Sequence, residues 1–203
     1  MKKLLAIAAV TFGIFANPAL TPAALAEAQA YKFDPTHTEL LFSYRHLGMS
    51  RAYAQFKKID GVVNMDKAAP EKSSVDVTID VNSIDTGVTV FDEHLRSKDF
   101  FNAAKFPKAT FKSTKVTKTG AKTYKVAGNL TIKGKTKPVT LDMEFIVEQE
   151  HPLAKFNPAK KGVYVAAFSA KTSIKRSDFG MGQYAPATSD KVDIIIETEM
   201  FRQ

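Results

Sequence analysis

Along most of the chain, apolar side chains recur at every second position. Leu40, Phe42, Tyr44 and His46 share one face of a segment whose other face carries Glu39, Ser43 and Arg45. Val75, Val77, Ile79 and Val81 alternate with Ser74, Asp76, Thr78 and Asp80. The same rhythm returns in Tyr124 to Ile132, in Val139 to Val147, in Tyr164 to Ile174 and in Val192 to Ile196. A period of two places successive side chains on opposite faces of a strand, so these segments predict antiparallel strands with one dry and one wet face. Ala109, Phe111 and Ser113 lead a further strand that ends near the turn at Thr119-Gly120. Ala52 to Met65 predicts one bent strand, with a bulge that returns Phe56 and Ile59 to the same face. Lys133-Gly134-Lys135-Thr136 predicts a tight hairpin.

One region breaks the rhythm. Between Val88 and Arg96, Phe91 and Leu95 stand four apart, as on one face of a helix. Thr89 is its expected cap, and Asp92 with Arg96 its expected pair across one turn. Pro107 stops the insert before the next strand. The residues therefore predict an all-β domain of about eight antiparallel strands with a short helical insertion, closed as a barrel or stacked as a sandwich. Inward positions hold both large residues and small ones, among them Ser113, Gly128, Ala166 and Ala170. Periodicity alone fits a cavity and an interdigitated core equally well.

Composition narrows the setting. Lys2 and Lys3 precede an apolar run from Leu4 to Phe15, and Ala24-Leu25-Ala26 follows as a small-residue cleavage site. That run is shorter than the ~20 residues a membrane span needs. Residues 1–26 are read as a secretory signal peptide, residues 27–203 as one exported, periplasmic domain. Removing the leader takes two lysines and no acid, leaving 27 cations against 21 acids and a net charge of +6. The chain has no Cys, which excludes a disulfide frame, a thiol nucleophile and a lipid-modified cysteine.

Motifs for chemistry are sparse. His37, His46, His94 and His151 show no metal-binding spacing, so no metal is expected. No nucleophile elbow occurs. Gly128 to Gly134 is one residue too long for a phosphate loop. Asp178-Phe179-Gly180 reads as a turn with a buried Phe. Lys112, Lys115, Lys118, Lys122, Lys125, Lys133, Lys135 and Lys137 lie on wet strand faces. Export argues against nucleic acid as their partner and favours a solvated surface, with attraction to an anionic membrane surface as a further use. The oligomeric state stays open, a homodimer included.

Two blocks are less generic. Ser83-Ile84-Asp85-Thr86, Asp92 to Phe101, Lys105-Phe106-Pro107 and Phe111 form the first. Gly128 to Gly134 and Thr136 to Leu141 form the second, while Asp34-Pro35-Thr36-His37 and His46-Leu47-Gly48 match at the start. Together they resemble the YceI-like family of polyisoprenoid-binding proteins, over about Tyr31 to Thr198. Phe91 departs from the resemblance, standing where the family often has a basic residue. Ile59 departs too, where a second Phe is common.

The resemblance implies an extended, lipocalin-like antiparallel barrel around an elongated apolar tunnel. It implies a non-catalytic binding protein without a cofactor, holding an isoprenoid (polyprenyl or prenyl-quinone) or similar long-chain lipid. Strand parity then predicts the lining: Phe42, Tyr44, Val77, Ile79, Phe111, Leu130, Ile132, Leu141, Met143, Phe145, Phe168 and Ile196. Leu95 and Phe100 on the insert, with Phe101 and Phe106, are expected to close one end as a plug or a gate. His46 at a strand end, with His94 and Arg96 on the insert, are the expected polar groups near a ligand's head. Two other readings stay open: an enzyme acting on a quinone or prenyl head through His94 or His46, and a filled barrel that acts only through its surface.

Overall fold

The computed structural model describes residues 28–203, so the expected leader lies outside the described residues. Its strands are β1 (Gln29–His46), β2 (Ser50–Phe56), β3 (Ile59–Met65), β4 (Ser74–Asp80), β5 (Ile84–Asp85), β6 (Lys108–Lys118), β7 (Thr123–Ile132), β8 (Lys135–Glu150), β9 (Tyr164–Lys175) and β10 (Lys191–Arg202). One helix, α1 (Thr89–Arg96), lies between β5 and β6. β1 pairs with β3 on one side and β10 on the other, closing eight antiparallel strands into a barrel. β2 continues the β3 side along the second half of β1, and β5 adds two residues to β2. Closure leaves few edges to protect.

The expected bent strand from Ala52 to Met65 is instead two strands, broken at Lys57-Lys58. Lys57 N–H donates to the Ser83 carbonyl at 3.2 Å and Lys58 N–H to Ser83 Oγ at 3.0 Å, so this backbone bonds sideways rather than along the ladder. The break does what a bulge would have done: Phe56 and Ile59 both face the interior. The β7–β8 hairpin turns on Lys133 and Gly134 alone, with φ of 51° and 70°. Positive φ at both central residues is the geometry that fits the twist of paired strands.

The insert forms the expected helix with different end chemistry. Val88 occupies the N-cap position, with no side-chain cap. Asp92 does not pair with Arg96. Its Oδ1 accepts from the Thr86 N–H and hydroxyl, both at 2.7 Å, tying the helix to the preceding turn. Leu95 is buried against Leu40, Phe56 and Ile84, with Phe91, Phe100 and Phe101 around it. Phe106 packs instead near Gly134, on the β7–β8 hairpin.

One end of the barrel is filled. Tyr31, Ala166, Phe168 and Met200 are buried together there, with Phe33, Val63, Met65, Met143 and Phe145 against them. A register shift in β8 between Phe145 and Val147 changes parity, so Glu148 pairs with the buried Ala166. Lys67 and Arg202 neutralise that carboxylate. We call this end the floor and the end bearing α1 the mouth.

Candidate ligand-binding cavity

The inward rows of the strands do not meet above the floor. They enclose a cavity of about 740 Å³, within the ~300–1,000 Å³ typical of small-molecule sites. Its walls take Phe42 and Tyr44 from β1, Val77 and Ile79 from β4, Phe111 from β6, Leu130 and Ile132 from β7, and Leu141 and Met143 from β8. Phe168 comes from β9, Ile196 from β10, and Leu95 and Phe100 from the insert. These side chains share one chamber because each stands on the same parity of a barrel strand. β8 borders the cavity from Val139 to Met143, a span of roughly 13 Å at ~3.3 Å per residue.

Phe145 is a correction. It does not border the cavity but packs in the floor, its ring 5.6 Å from that of Phe168. It is the last inward residue before the β8 register shift, beyond the point where the interior fills. The small inward residues also differ from expectation. Ala170 borders the cavity, whereas Ala166 is buried in the floor. Gly128 makes room for the Phe111 ring, since a Cβ there would lie 2.4 Å from Phe111 Cζ. Ser113 Oγ accepts from the Val75 N–H at 2.8 Å.

The cavity opens at the mouth. Its solvent-exposed bordering residues are His46 at the end of β1 and Leu47 just after it, His94 on α1, and Tyr184 and Ala187 in the loop before β10. His46 stands at the rim, bridged to Thr188. His94 is not tied to Asp85. It stands edge-on to Phe100 at 5.0 Å and to Tyr184 at 6.2 Å. Asp85 pairs with Lys57, whose hydrogen bond holds the carboxyl below its usual range. Arg96 is not among the cavity residues and forms no ion pair among the described residues. His151 is half-buried, and its Nδ1 accepts from the Leu153 N–H.

Sequence reasoning missed one polar residue of the wall, Arg176. The inward row that runs from Tyr164 through Thr172 and Ile174 reaches it two positions later. β9 ends at Lys175, so the strand pattern stops one residue before Arg176, which stands in the turn at Arg176–Phe179. In that turn Phe179 is buried, as expected.

Asp34, His37 and Glu199 bring ligand-type atoms within 4.8 Å of one another near the floor. A local turn accounts for them. Asp34 accepts from the Thr36 N–H at 2.8 Å and the Thr36 hydroxyl at 2.6 Å, and meets His37 Nδ1 at 2.9 Å. Burial works against its charge, but these bonds prevail and hold its pKa at about 2. The same pair raises the pKa of His37.

Comparison with known proteins agrees with this architecture. Residues 31–200 match the YceI-like domain. A UPF0312 protein of Pectobacterium carotovorum is 39% identical over 204 residues, covering 100% of this chain and 98% of that relative. The crystal structure of Burkholderia cenocepacia BcnA superposes with a TM-score of 0.72 at 27% identity, covering 82% of this chain and 98% of that one. A polyisoprenoid binding domain from Saccharophagus degradans shares the fold at a TM-score of 0.59 and 16% identity, covering 86% of this chain and 99% of its own. With a domain match along nearly all of the barrel and a relative aligned from end to end, the chain belongs to the YceI-like family.

Proposed function

We propose that this protein is a non-catalytic periplasmic carrier that holds an isoprenoid or similar long-chain lipid in its barrel. The observation that carries the reading is the segregation of chemistry along the cavity. Hydrocarbon side chains form the walls, while charged and imidazole groups stand towards the mouth. A long chain gains about 0.8 kcal/mol per buried CH₂, so such walls bind it with few polar contacts. Polyisoprenoid binding by the Saccharophagus degradans domain of the same fold supports the ligand class. The leader-like residues 1–26 support export.

The same reading brings the mouth to an anionic membrane surface. Leu47, Met49 and Tyr184 expose apolar surface on or beside the rim, and Arg45 is exposed next to His46. Apolar tips with cations beside them suit a lipid interface. Native mass spectrometry of protein purified from the periplasm of its host tests the function. The reading predicts one co-purifying lipid per barrel, released by organic solvent and identified as a prenyl or long-alkyl compound. Protein recovered from the cytoplasm, or a barrel that neither carries nor takes up such a chain, would contradict it.

A further inference from the structure

We propose that Arg176 and Tyr44 form a head-group site for an oxyanion, so that the chain held in the cavity ends in a phosphate or a carboxylate. The proposal rests on the carrier reading and specifies its ligand.

Arg176 is only 6% exposed, and it borders the cavity. Nε donates to the Ser189 carbonyl at 2.9 Å, and Nη1 to the carbonyls of Met181 and Gln183. Nη2 donates to the Thr188 carbonyl at 2.8 Å. A guanidinium has five N–H donors, so four bonds leave one Nη2 N–H uncommitted. All four acceptors are neutral, and Arg176 forms no ion pair among the described residues. The nearby Asp190 carboxylate is held by the Ser177 N–H at 2.8 Å and the Ser177 hydroxyl at 2.7 Å. The carbonyls explain how Arg176 fastens the loop before β10. They do not neutralise its charge, which Asp190 offsets only from a distance and without an ion-pair contact, and buried charges are ordinarily paired by contact.

Tyr44 supplies the second, independent observation. It is 8% exposed and borders the same cavity, and its hydroxyl has no hydrogen-bond partner among the described residues. The hydroxyl is not sealed in the wall but reaches open space, where a ligand atom can meet it. Burial pushes the Tyr44 pKa up, against the pull of the Arg176 charge, so the two groups sense each other. Burial likewise draws the Arg176 pKa down. An oxyanion between them would accept from the free guanidinium N–H and from the phenol, and would cancel the charge. A neutral alcohol head would satisfy one donor and leave the cation unpaired. Arginine's planar donor fork suits both phosphate and carboxylate.

The test keeps the chain constant and varies the head. Hexadecyl phosphate, hexadecanoate and hexadecanol are titrated into the purified, delipidated protein by calorimetry. At least one of the two anions should bind tenfold or more tightly than the alcohol, and the tighter anion identifies the head group. That preference should fall below twofold in Arg176→Gln. Tyr44→Phe, which keeps the aromatic body in the wall, should lose part of the preference at an unchanged melting temperature, and carries the test should Arg176→Gln fail to fold. Equal affinity for all three chains would overturn the head-group site while leaving the carrier reading intact. A preference that survives in Tyr44→Phe and in every folded Arg176 variant would overturn it as well. Failure of every chain to bind would remove both readings.

Discussion

The floor and the mouth of this barrel are made from the same strands and finish differently. At the floor, β1, β9 and β10 bring Tyr31, Ala166, Phe168 and Met200 into mutual contact, with Phe168 and Met200 forming the boundary where the cavity ends. Towards the mouth the inward residues are as apolar and as large, yet they surround empty volume. Polarity is handled differently as well. The floor pairs its inward carboxylate, Glu148, with Lys67 and Arg202, whereas the mouth half leaves the Arg176 guanidinium with carbonyl oxygens alone. The floor is therefore a core that confers stability, and the mouth half is a surface turned inward, whose contacts are reserved for something else. Hydrophobic lining alone does not separate the two; completed packing and completed charge pairing do.

The largest expected effect lies in the floor. Tyr31 is 0% exposed and does not border the cavity, so Tyr31→Ala should cost ~3–5 kcal/mol, read as a lower urea midpoint at unchanged slope. Ile79→Ala in the cavity wall should cost clearly less, because that side chain already borders unfilled space. Equal costs would erase the distinction between the two halves. A smaller loss, about 2–3 kcal/mol, is expected from Gly128→Val. Even its Cβ would lie 2.6 Å from the Lys112 carbonyl and would push the Phe111 ring into the cavity. An unchanged melting temperature would show that Phe111 moves freely.

Asp34→Asn, in the turn near the floor, should cost about 1.5 kcal/mol through weakened charge-assisted bonds. The carboxyl's folded pKa lies below its ordinary value. Its contribution is therefore complete above pH ~4 and is lost as pH falls through about 2. Urea midpoints measured from pH 5 to pH 2 should fall more steeply for the parent than for Asp34→Asn; parallel curves would contradict this. The smallest stability effect belongs to the lip. Leu47→Ser with Met49→Ser should stay within ~0.5 kcal/mol, since both side chains are exposed, yet should slow transfer of a fluorescent prenyl chain from anionic vesicles. Unaltered transfer would separate the mouth from the membrane.

Much of this was legible because parity is a local property. Phe42, Val77, Leu130 and Ile196 could be assigned to one interior without knowing which strands pair. What escaped depends on register across strands. The shift in β8 that turns Glu148 inward exists only relative to β9, and the break at Lys57-Lys58 only relative to Ser83. The N-cap at Val88 was hidden because bonds from Thr86 to Asp92, six residues on, replace the cap that Thr89 could have supplied. Phe145 fits its strand's pattern perfectly. Only the depth at which the barrel fills, a sum over eight strands, takes it out of the cavity. Arg176 was missed for the opposite reason, since it continues an inward row past the end of its strand.

The central claim is that the unfilled half of the barrel is where a long chain resides. Ala170→Phe tests it most directly, because Ala170 borders the cavity and a phenyl group there fills space without adding charge. In titrations with a fluorescent polyene fatty acid, the parent should bind one chain per barrel. Ala170→Phe should keep the parent's melting temperature or exceed it while losing at least tenfold in affinity. Equal binding by the two folded proteins would place the chain outside the cavity and contradict the account.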